Sequence, residues 1–275
     1  MKIGFLGGGN MATALIGGLL KPGTGIAAAD ICVVEPLAEG RGQLGRAFGV
    51  ACFAAVDAAV LACDAMVLAV KPQQMQTALE PLAGRLDRQL VISIAAGTRL
   101  ADLSRWLGGH ALLVRTMPNT PALIGAGVTG LYADPAVDAR GRAVAERILA
   151  AAGKTLWVAS ESMMDAVTAV SGSGPAYVFY FIEALAAAAR ELGFSAEQAR
   201  LLSIETFVGA AALAAGTSED VGTLRARVTS KGGTTEAALN SLDADAVAAA
   251  IGRAVRAAEV RGRQLGKQPG EGTPC

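Results

Sequence analysis

Short apolar runs alternating with helical patterns constrain this chain more than any other feature. Lys2–Leu6, Ile31–Val34, Ala65–Val70, Gln89–Ile94 and Leu112–Thr116 read as strands without a polar face; Gly127–Tyr132 and Lys154–Val158 are weaker ones. Helical stretches fall between most of them. A strand apolar on both faces has to be covered on both, so the pattern predicts an α/β fold with a parallel sheet between two helical layers. Near Ser160 the strand signals stop and only helices follow. Three segments are therefore expected: an α/β domain over 1–160, an all-helical domain over 161–266, and a Gly/Pro-rich, disordered tail over 267–275.

The helical half is well punctuated. SGSGP (Ser171 to Pro175) opens a helix to about Leu192, with Pro175 near its first turn and Gly193 past its end. Ser195 with Gln198 forms a capping-box pattern for a helix ending near Gly216. Further helices are expected after Ser218–Asp220, over about Thr235–Leu242, and over about Ala244–Leu265. Apolar residues such as Tyr177, Phe179, Phe181, Leu185, Leu201 and Phe207 fall on more than one helical face. A single layer of helices cannot bury both sides, so a partner chain is expected, as an obligate dimer or a multiple of it.

Composition excludes several classes of function. A net charge of 0 leaves no electrostatic footprint for nucleic acid or an anionic membrane. No apolar run reaches the roughly 18–20 residues of a membrane span, and no signal-peptide pattern opens the chain. The single histidine, His110, removes Ser–His–Asp, Cys–His and His-rich metal chemistry, so no metal is expected. After Gly108 and Gly109 it reads as an exposed loop residue. Cys32, Cys52, Cys63 and Cys275 form no CxxC pair, which predicts reduced thiols and a cytoplasmic protein.

Two motifs carry chemistry. Gly7-Gly8-Gly9-Asn10-Met11-Ala12 fits G-x-G-x-x-A between an apolar strand and a helix, the context a dinucleotide fingerprint requires. Gly7 allows the turn, Gly9 lets the pyrophosphate approach, and Ala12 permits close helix–strand packing. Glu35 ends the second strand, where an acid accepts hydrogen bonds from the adenosine ribose and repels a 2′-phosphate; Arg41 stands on the helix that follows. Val70-Lys71-Pro72 closes a third strand at the edge where ligands sit, with Pro72 holding the backbone extended. Asn119, in the loop Arg115–Pro121, offers a donor and an acceptor. At the other end, VTSKGGTTEAAL (Val228 to Leu239) places small residues before a helix, a socket for a small anion such as a carboxylate. Thr235 there is either a ligand or a helix cap. Together the motifs suggest a reductase acting on a small acid.

LGGGNMA, LAVKPQ, SIAAG, RTMPNTPA, AVSGSGPAY and VTSKGGTTEAAL occur in the order seen in pyrroline-5-carboxylate reductases, from Leu6 to Leu239. The resemblance implies reduction of a cyclic imine to L-proline by NADPH or NADH. It also implies an N-terminal Rossmann domain and a helical domain forming an intertwined dimer, with pentamers of dimers in some members. Carried over by position, Gly7 to Ala12 hold the pyrophosphate, and Ala69 to Pro72 with Ala95, Ala96 and Gly97 border the cofactor. Ser230, Gly233 and Thr234 receive the substrate carboxylate, and Thr235 places its hydroxyl near the imine nitrogen. Two positions depart from the family. Glu35 stands where NADPH users tend to have Ser, and Val56 where many have Asn.

β-Hydroxyacid dehydrogenases resemble the chain at Gly172-Ser173-Gly174. Their catalytic Lys falls on Val178 here, and an expected Asn on Ile182, so alcohol oxidation would lack its proton acceptor. A non-catalytic nucleotide sensor would keep the glycine fingerprint but have no use for a carboxylate socket.

Overall fold

The computed structural model describes residues 1–266; the expected tail, 267–275, lies outside them. Two compact units form. Met1–Ser173, together with the chain from Ala258 on, makes the first, and Gly174–Ala257 the second.

The first unit is an eight-stranded sheet of β1 (Ile3–Leu6), β2 (Ile31–Val34), β3 (Ala51–Phe53), β4 (Ala65–Leu68), β5 (Leu90–Ser93), β6 (Leu113–Met117), β7 (Gly127–Ala133) and β8 (Gly153–Trp157). Their spatial order is β3-β2-β1-β4-β5-β6-β7-β8. The strand order reverses direction between β1 and β4, which opens a crevice at their carboxyl ends. Helices of this unit include α1 (Asn10–Leu19), α2 (Ala38–Phe48), α3 (Ala58–Leu61), α4 (Met75–Leu79), α5 (Leu100–Trp106), α6 (Ala139–Ala150) and α7 (Met163–Val167).

The pleat sorts the apolar residues onto two faces. Ile3, Phe5, Ile31, Val33, Ala65 and Val67 join one buried cluster with Leu15 and Ile16 of α1 and Ile148 and Leu149 of α6. Their strand neighbours Leu6, Cys32, Val34, Met66 and Leu68 join the other, with Met75, Leu79 and Leu103. Each large side chain so buried contributes about 1.5–3 kcal/mol, which is why strands this short hold the sheet. The expectation of an α/β sandwich is met.

The strands differ from expectation at the far edge. A wholly parallel sheet was expected, but β7 runs antiparallel to β6, while β8 is parallel to β7. The β6–β7 connection holds only a short 3₁₀ turn, Thr120–Ile124, too little for a crossover helix. Between β7 and β8, α6 supplies that crossover. β3 was missed because three half-exposed residues give no periodic signal.

His110 is not exposed as expected. It is 9% exposed, with Nε2 2.8 Å from the Gln89 carbonyl oxygen. Gly108 and Gly109 both take positive φ, and the chain turns there so that the ring meets the Gln89 carbonyl just before β5.

The first compact unit runs past the change of pattern near Ser160, to Ser173. Met164 and Asp165 on α7 are buried in the first unit, and Gly130 of β7 leaves the space that Val167 fills. After α7 the helix widens into a π-type turn over Thr168–Gly172, marked by the Ser173 N–H donating to the Thr168 carbonyl at 2.8 Å.

The second unit is helical: α8 (Gly174–Glu191), α9 (Ala196–Ala215), α10 (Val221–Arg227), α11 (Thr234–Ala244) and the start of α12 (Val247–Leu265). Ser195 and Gln198 cap α9 reciprocally, as the sequence predicts. Phe179, Tyr180 and Leu201 remain 64%, 69% and 61% exposed within one chain.

Candidate active site

The carboxyl edge of the first sheet gathers most of the expected cofactor residues. Gly7 follows β1, Glu35 follows β2, Ala69 to Pro72 follow β4, and Ala95 to Gly97 follow β5, all at one end of parallel strands. The ladder runs one residue past the strands, through Gly7 N–H to the Val34 carbonyl and Ala69 N–H to the Leu6 carbonyl, both 2.8 Å.

The glycines have separable roles. Gly7 has φ +99°, and a Cβ there would lie 2.7 Å from the Ala69 carbonyl oxygen. A Cβ on Gly8 would lie 2.5 Å from Leu44 Cδ1, so the Leu44 side chain would have to shift to admit one. Nothing lies within 4 Å of a Cβ built on Gly9, so its bareness leaves open space rather than avoiding a clash. Gly9 is the N-cap of α1, with extended backbone and no side-chain cap. The first intrahelical bond is Thr13 N–H to the Gly9 carbonyl, so the amides of Asn10, Met11 and Ala12 have no acceptor in the helix. No acid stands in the first turn. Free amides, a helix dipole and open space suit a pyrophosphate.

Glu35 lies beside this cradle. Its Oε2 accepts from Gly8 N–H at 3.1 Å and its Oε1 from Leu37 N–H at 2.9 Å. Gly40 makes room for it, since a Cβ there would meet Glu35 Cγ at 2.9 Å. Both oxygens keep lone pairs for ribose hydroxyls. Arg41 is turned away from such a role: its Nη1 donates to the carbonyls of Glu35 and Pro36 at 2.8 and 2.7 Å. Val56 packs against the buried cluster on the α3–α5 side. Lys71 is exposed and extended before Pro72, at φ −62° and ψ 144°.

Asn119 is engaged differently from the expectation. Its Nδ2 donates to the Ser171 carbonyl at 3.1 Å, and its Oδ1 accepts from Val128 N–H at 2.9 Å. Both ends of the carboxamide brace the loop before β7.

In the second unit the segment expected to form an anion socket falls at the start of α11. Gly233 is the N-cap, with φ −86°, ψ 171° and no side-chain cap. Its own N–H donates to the Ser230 carbonyl at 3.0 Å, so it is not free to hold a carboxylate as expected. The free amides are those of Thr234, Thr235 and Glu236, because the first intrahelical bond runs from Ala237 N–H to the Gly233 carbonyl. A Cβ on Gly233 would crowd Ser230, lying 2.5 Å from its Oγ and 3.0 Å from its carbonyl oxygen, so the Ser230 hydroxyl would have to turn away. Thr235 sits at the second helical position and does not cap. Among the described residues, the hydroxyls of Ser230, Thr234 and Thr235 make no hydrogen bond.

Glu236 was not foreseen; its Oε2 accepts from Gly232 N–H at 2.7 Å and ties the loop to the helix. A buried ionic cluster around Arg115 was not foreseen either. The available signal was a charged residue inside an otherwise apolar strand. A further buried pair, Cys32 and Cys63, places its sulfurs 3.4 Å apart. The hydrogen bond from Cys32 lowers the Cys63 thiol, and the same bond with burial raises that of Cys32.

Comparison with known proteins agrees with this arrangement. A family model described as pyrroline-5-carboxylate reductase dimerisation matches residues 161–265. Another, described as NADP oxidoreductase, coenzyme F420-dependent, matches residues 2–97. A pyrroline-5-carboxylate reductase of Pseudomonas aeruginosa is 44% identical over 271 residues, 98% of either chain. A solved pyrroline-5-carboxylate reductase from Coxiella burnetii has a TM-score of 0.92 at 39% identity, covering 97% of this chain and 99% of that one. A pyrroline carboxylate reductase from Plasmodium falciparum with NADP bound has a TM-score of 0.83 at 28% identity, covering 97% and 98%.

Proposed function

The chain belongs to the pyrroline-5-carboxylate reductases, which reduce the cyclic imine of 1-pyrroline-5-carboxylate to L-proline with NAD(P)H, and from that premise we propose how its residues share the work. The cofactor pyrophosphate rests on the Asn10, Met11 and Ala12 amides over Gly9. Glu35 accepts from the adenosine ribose. Ala69 to Pro72 and Ala95 to Gly97 border the nicotinamide end. The substrate carboxylate docks on the Thr234, Thr235 and Glu236 amides, with the Ser230 and Thr234 hydroxyls as further donors.

When bound, the reduced nicotinamide supplies a hydride. The residues need supply little else. A cyclic imine is basic enough to be partly protonated near neutral pH, so its carbon accepts hydride without a general acid. The Thr235 hydroxyl accepts a hydrogen bond from the iminium N–H and fixes the ring orientation. A chain with one buried histidine, tied to a backbone carbonyl, is compatible with this economy.

The observation that carries the reading is the start of α11, where free amides meet hydroxyls with no other partner. Its test compares pyrroline-5-carboxylate with 1-pyrroline, the same imine without the carboxylate, by following cofactor absorbance. A carboxylate on free amides predicts a kcat/KM lower by about tenfold or more for 1-pyrroline, the worth of one charge-assisted hydrogen bond. Equal efficiency would show that no part of the protein recognises the carboxylate and would overturn the reading.

The repeating assembly we read is a homodimer through the helical unit, with five such dimers as a decamer the larger form. The exposed apolar side chains of α8 and α9 support the dimer. The cysteine usage fits a reducing compartment, which supports a cytoplasmic location. Among the described residues no helix is long and apolar enough to cross a membrane.

A further inference from the structure

A buried ionic cluster lies beside the cofactor edge and takes no part in the chemistry above. Arg115, on β6, is 3% exposed. Its Nη2 donates to Asp165 Oδ1 at 3.1 Å and its Nη1 to Glu161 Oε1 at 3.2 Å. Asp165 is 4% exposed, and its other oxygen lies 3.8 Å from Arg99 Nη2. Two cations and two anions thus balance. Replacing such a group by apolar side chains often costs nothing in stability, whereas the ions and their hydrogen bonds fix geometry.

What they fix is the loop after β5. Glu161 Oε1 also accepts from Leu100 N–H at 2.9 Å, capping α5 from sixty-one residues away, because the N-cap Arg99 has no side-chain cap of its own. Arg99 Nε donates to the Gly266 carbonyl at 3.3 Å, at the end of α12. Gly97, at φ +76°, holds a backbone conformation that strains any other residue, and a Cβ there would make ordinary contact with the end of α12, 3.7 Å from Gly266 N. Ala95 to Gly97 therefore lie between Ser93, which is held through Thr116 Oγ1 to its carbonyl at 2.9 Å, and an Arg99–Leu100 pair anchored by the cluster.

We propose that Glu161 and Arg99, held by Arg115 and Asp165, are positioning residues that set the Ala95–Gly97 loop at the height needed to receive the nicotinamide end of the cofactor. This rests on the reading that the loop borders the cofactor. A displaced loop weakens cofactor binding without touching the socket on α11, so the two substrates respond differently.

Glu161→Ala removes the acceptor for both Leu100 and Arg115, whereas Glu161→Gln keeps it. In Glu161→Ala the Kd and KM for NADH should rise about tenfold, short of the roughly hundredfold that a full ångström misplacement can cost, while KM for pyrroline-5-carboxylate stays within about twofold. Glu161→Gln should recover most of the loss. Arg99→Ala, at a partly exposed site, should move the cofactor constants in the same direction and serves if Glu161→Ala does not fold. Ala96→Trp, in the exposed centre of the loop, tests the underlying reading. If Ala96→Trp binds NADH normally, the loop does not border the cofactor. If Ala96→Trp weakens NADH but Glu161→Ala and Arg99→Ala do not, the loop is right and the positioning role is wrong. Equal rises in both KM values with a lowered Tm would likewise reduce the cluster to a stability element.

Discussion

Thr235 gives the sharpest test of the site because its two roles separate cleanly. A threonine at a helix start usually raises the question of capping, and removing a cap costs about 0.5–2 kcal/mol. Here the cap position is Gly233, and Thr235 is the second residue of α11. Its hydroxyl has no partner among the described residues, so Thr235→Ala leaves no buried group unsatisfied. Alanine is also the better helix former, by about half a kcal/mol. The variant should melt within a degree or two of the wild type, or slightly above it.

Activity should behave otherwise. One hydrogen bond to the iminium nitrogen is worth about 1.5 kcal/mol, or roughly tenfold in kcat/KM for pyrroline-5-carboxylate. The KM for cofactor should not move, because the Asn10–Ala12 amides and Glu35 are untouched. Thr235→Ser should restore most of the rate. The assay is steady-state oxidation of reduced cofactor, with Tm measured on the same samples. Near-normal kcat/KM in Thr235→Ala would refute the assignment, and a large drop in Tm would show that α11 depends on the side chain in a way its geometry does not show.

Three further outcomes follow from the same geometry. Glu35→Ser removes a carboxylate from the ribose site and should shift the kcat/KM ratio toward NADPH by about tenfold, equivalent to ~1.4 kcal/mol; a wild type that already strongly prefers NADPH would contradict this. Gly9→Ala meets no atom within 4 Å and should fold normally while raising the cofactor KM about tenfold or more by crowding the pyrophosphate, whereas Gly7→Ala, 2.7 Å from the Ala69 carbonyl, should lower Tm; equal behaviour of the two would undo the division of roles. Light scattering at micromolar protein should give a dimer or a multiple of it, and Phe179→Glu on the exposed face of α8 should shift it toward monomer; a wild-type monomer would rule out the assembly.

The parts legible in the sequence were those that depend on neighbours along the chain. Strand cores such as Ile31–Val34 follow from runs of apolar residues, and the Ser195 cap from a local pattern. Three-residue β3 was not legible, because its pairing to β2 comes from the sheet and not from its own residues. The direction of β7 turned on how little chain joins it to β6. His110 was misread because flanking glycines signal a loop, but not which way the loop turns. Asn119 offered a donor and an acceptor in the sequence, and the fold engages one of each within the protein, while Gly233 was credited with an amide already given to Ser230. The Arg115 cluster joins residues from three separate segments, and no spacing rule reaches across them.

The proposed pyrophosphate and carboxylate sites rest on one physical device used twice. Among the described residues, the N-cap side chains of Asp57, Asp138, Ser195 and Asp220 cap α3, α6, α9 and α10. α1 and α11 are instead capped by Gly9 and Gly233, both extended and both bare, so the amides that a cap would satisfy stay open to an anion. The two differ in the first turn. α1 has no acid there, which leaves the full dipole to a pyrophosphate. α11 has Glu236, whose charge offsets part of the pull. That difference suits the chemistry. The carboxylate is the same on imine and on proline, so holding it harder would bind substrate and product alike and add nothing to the hydride step.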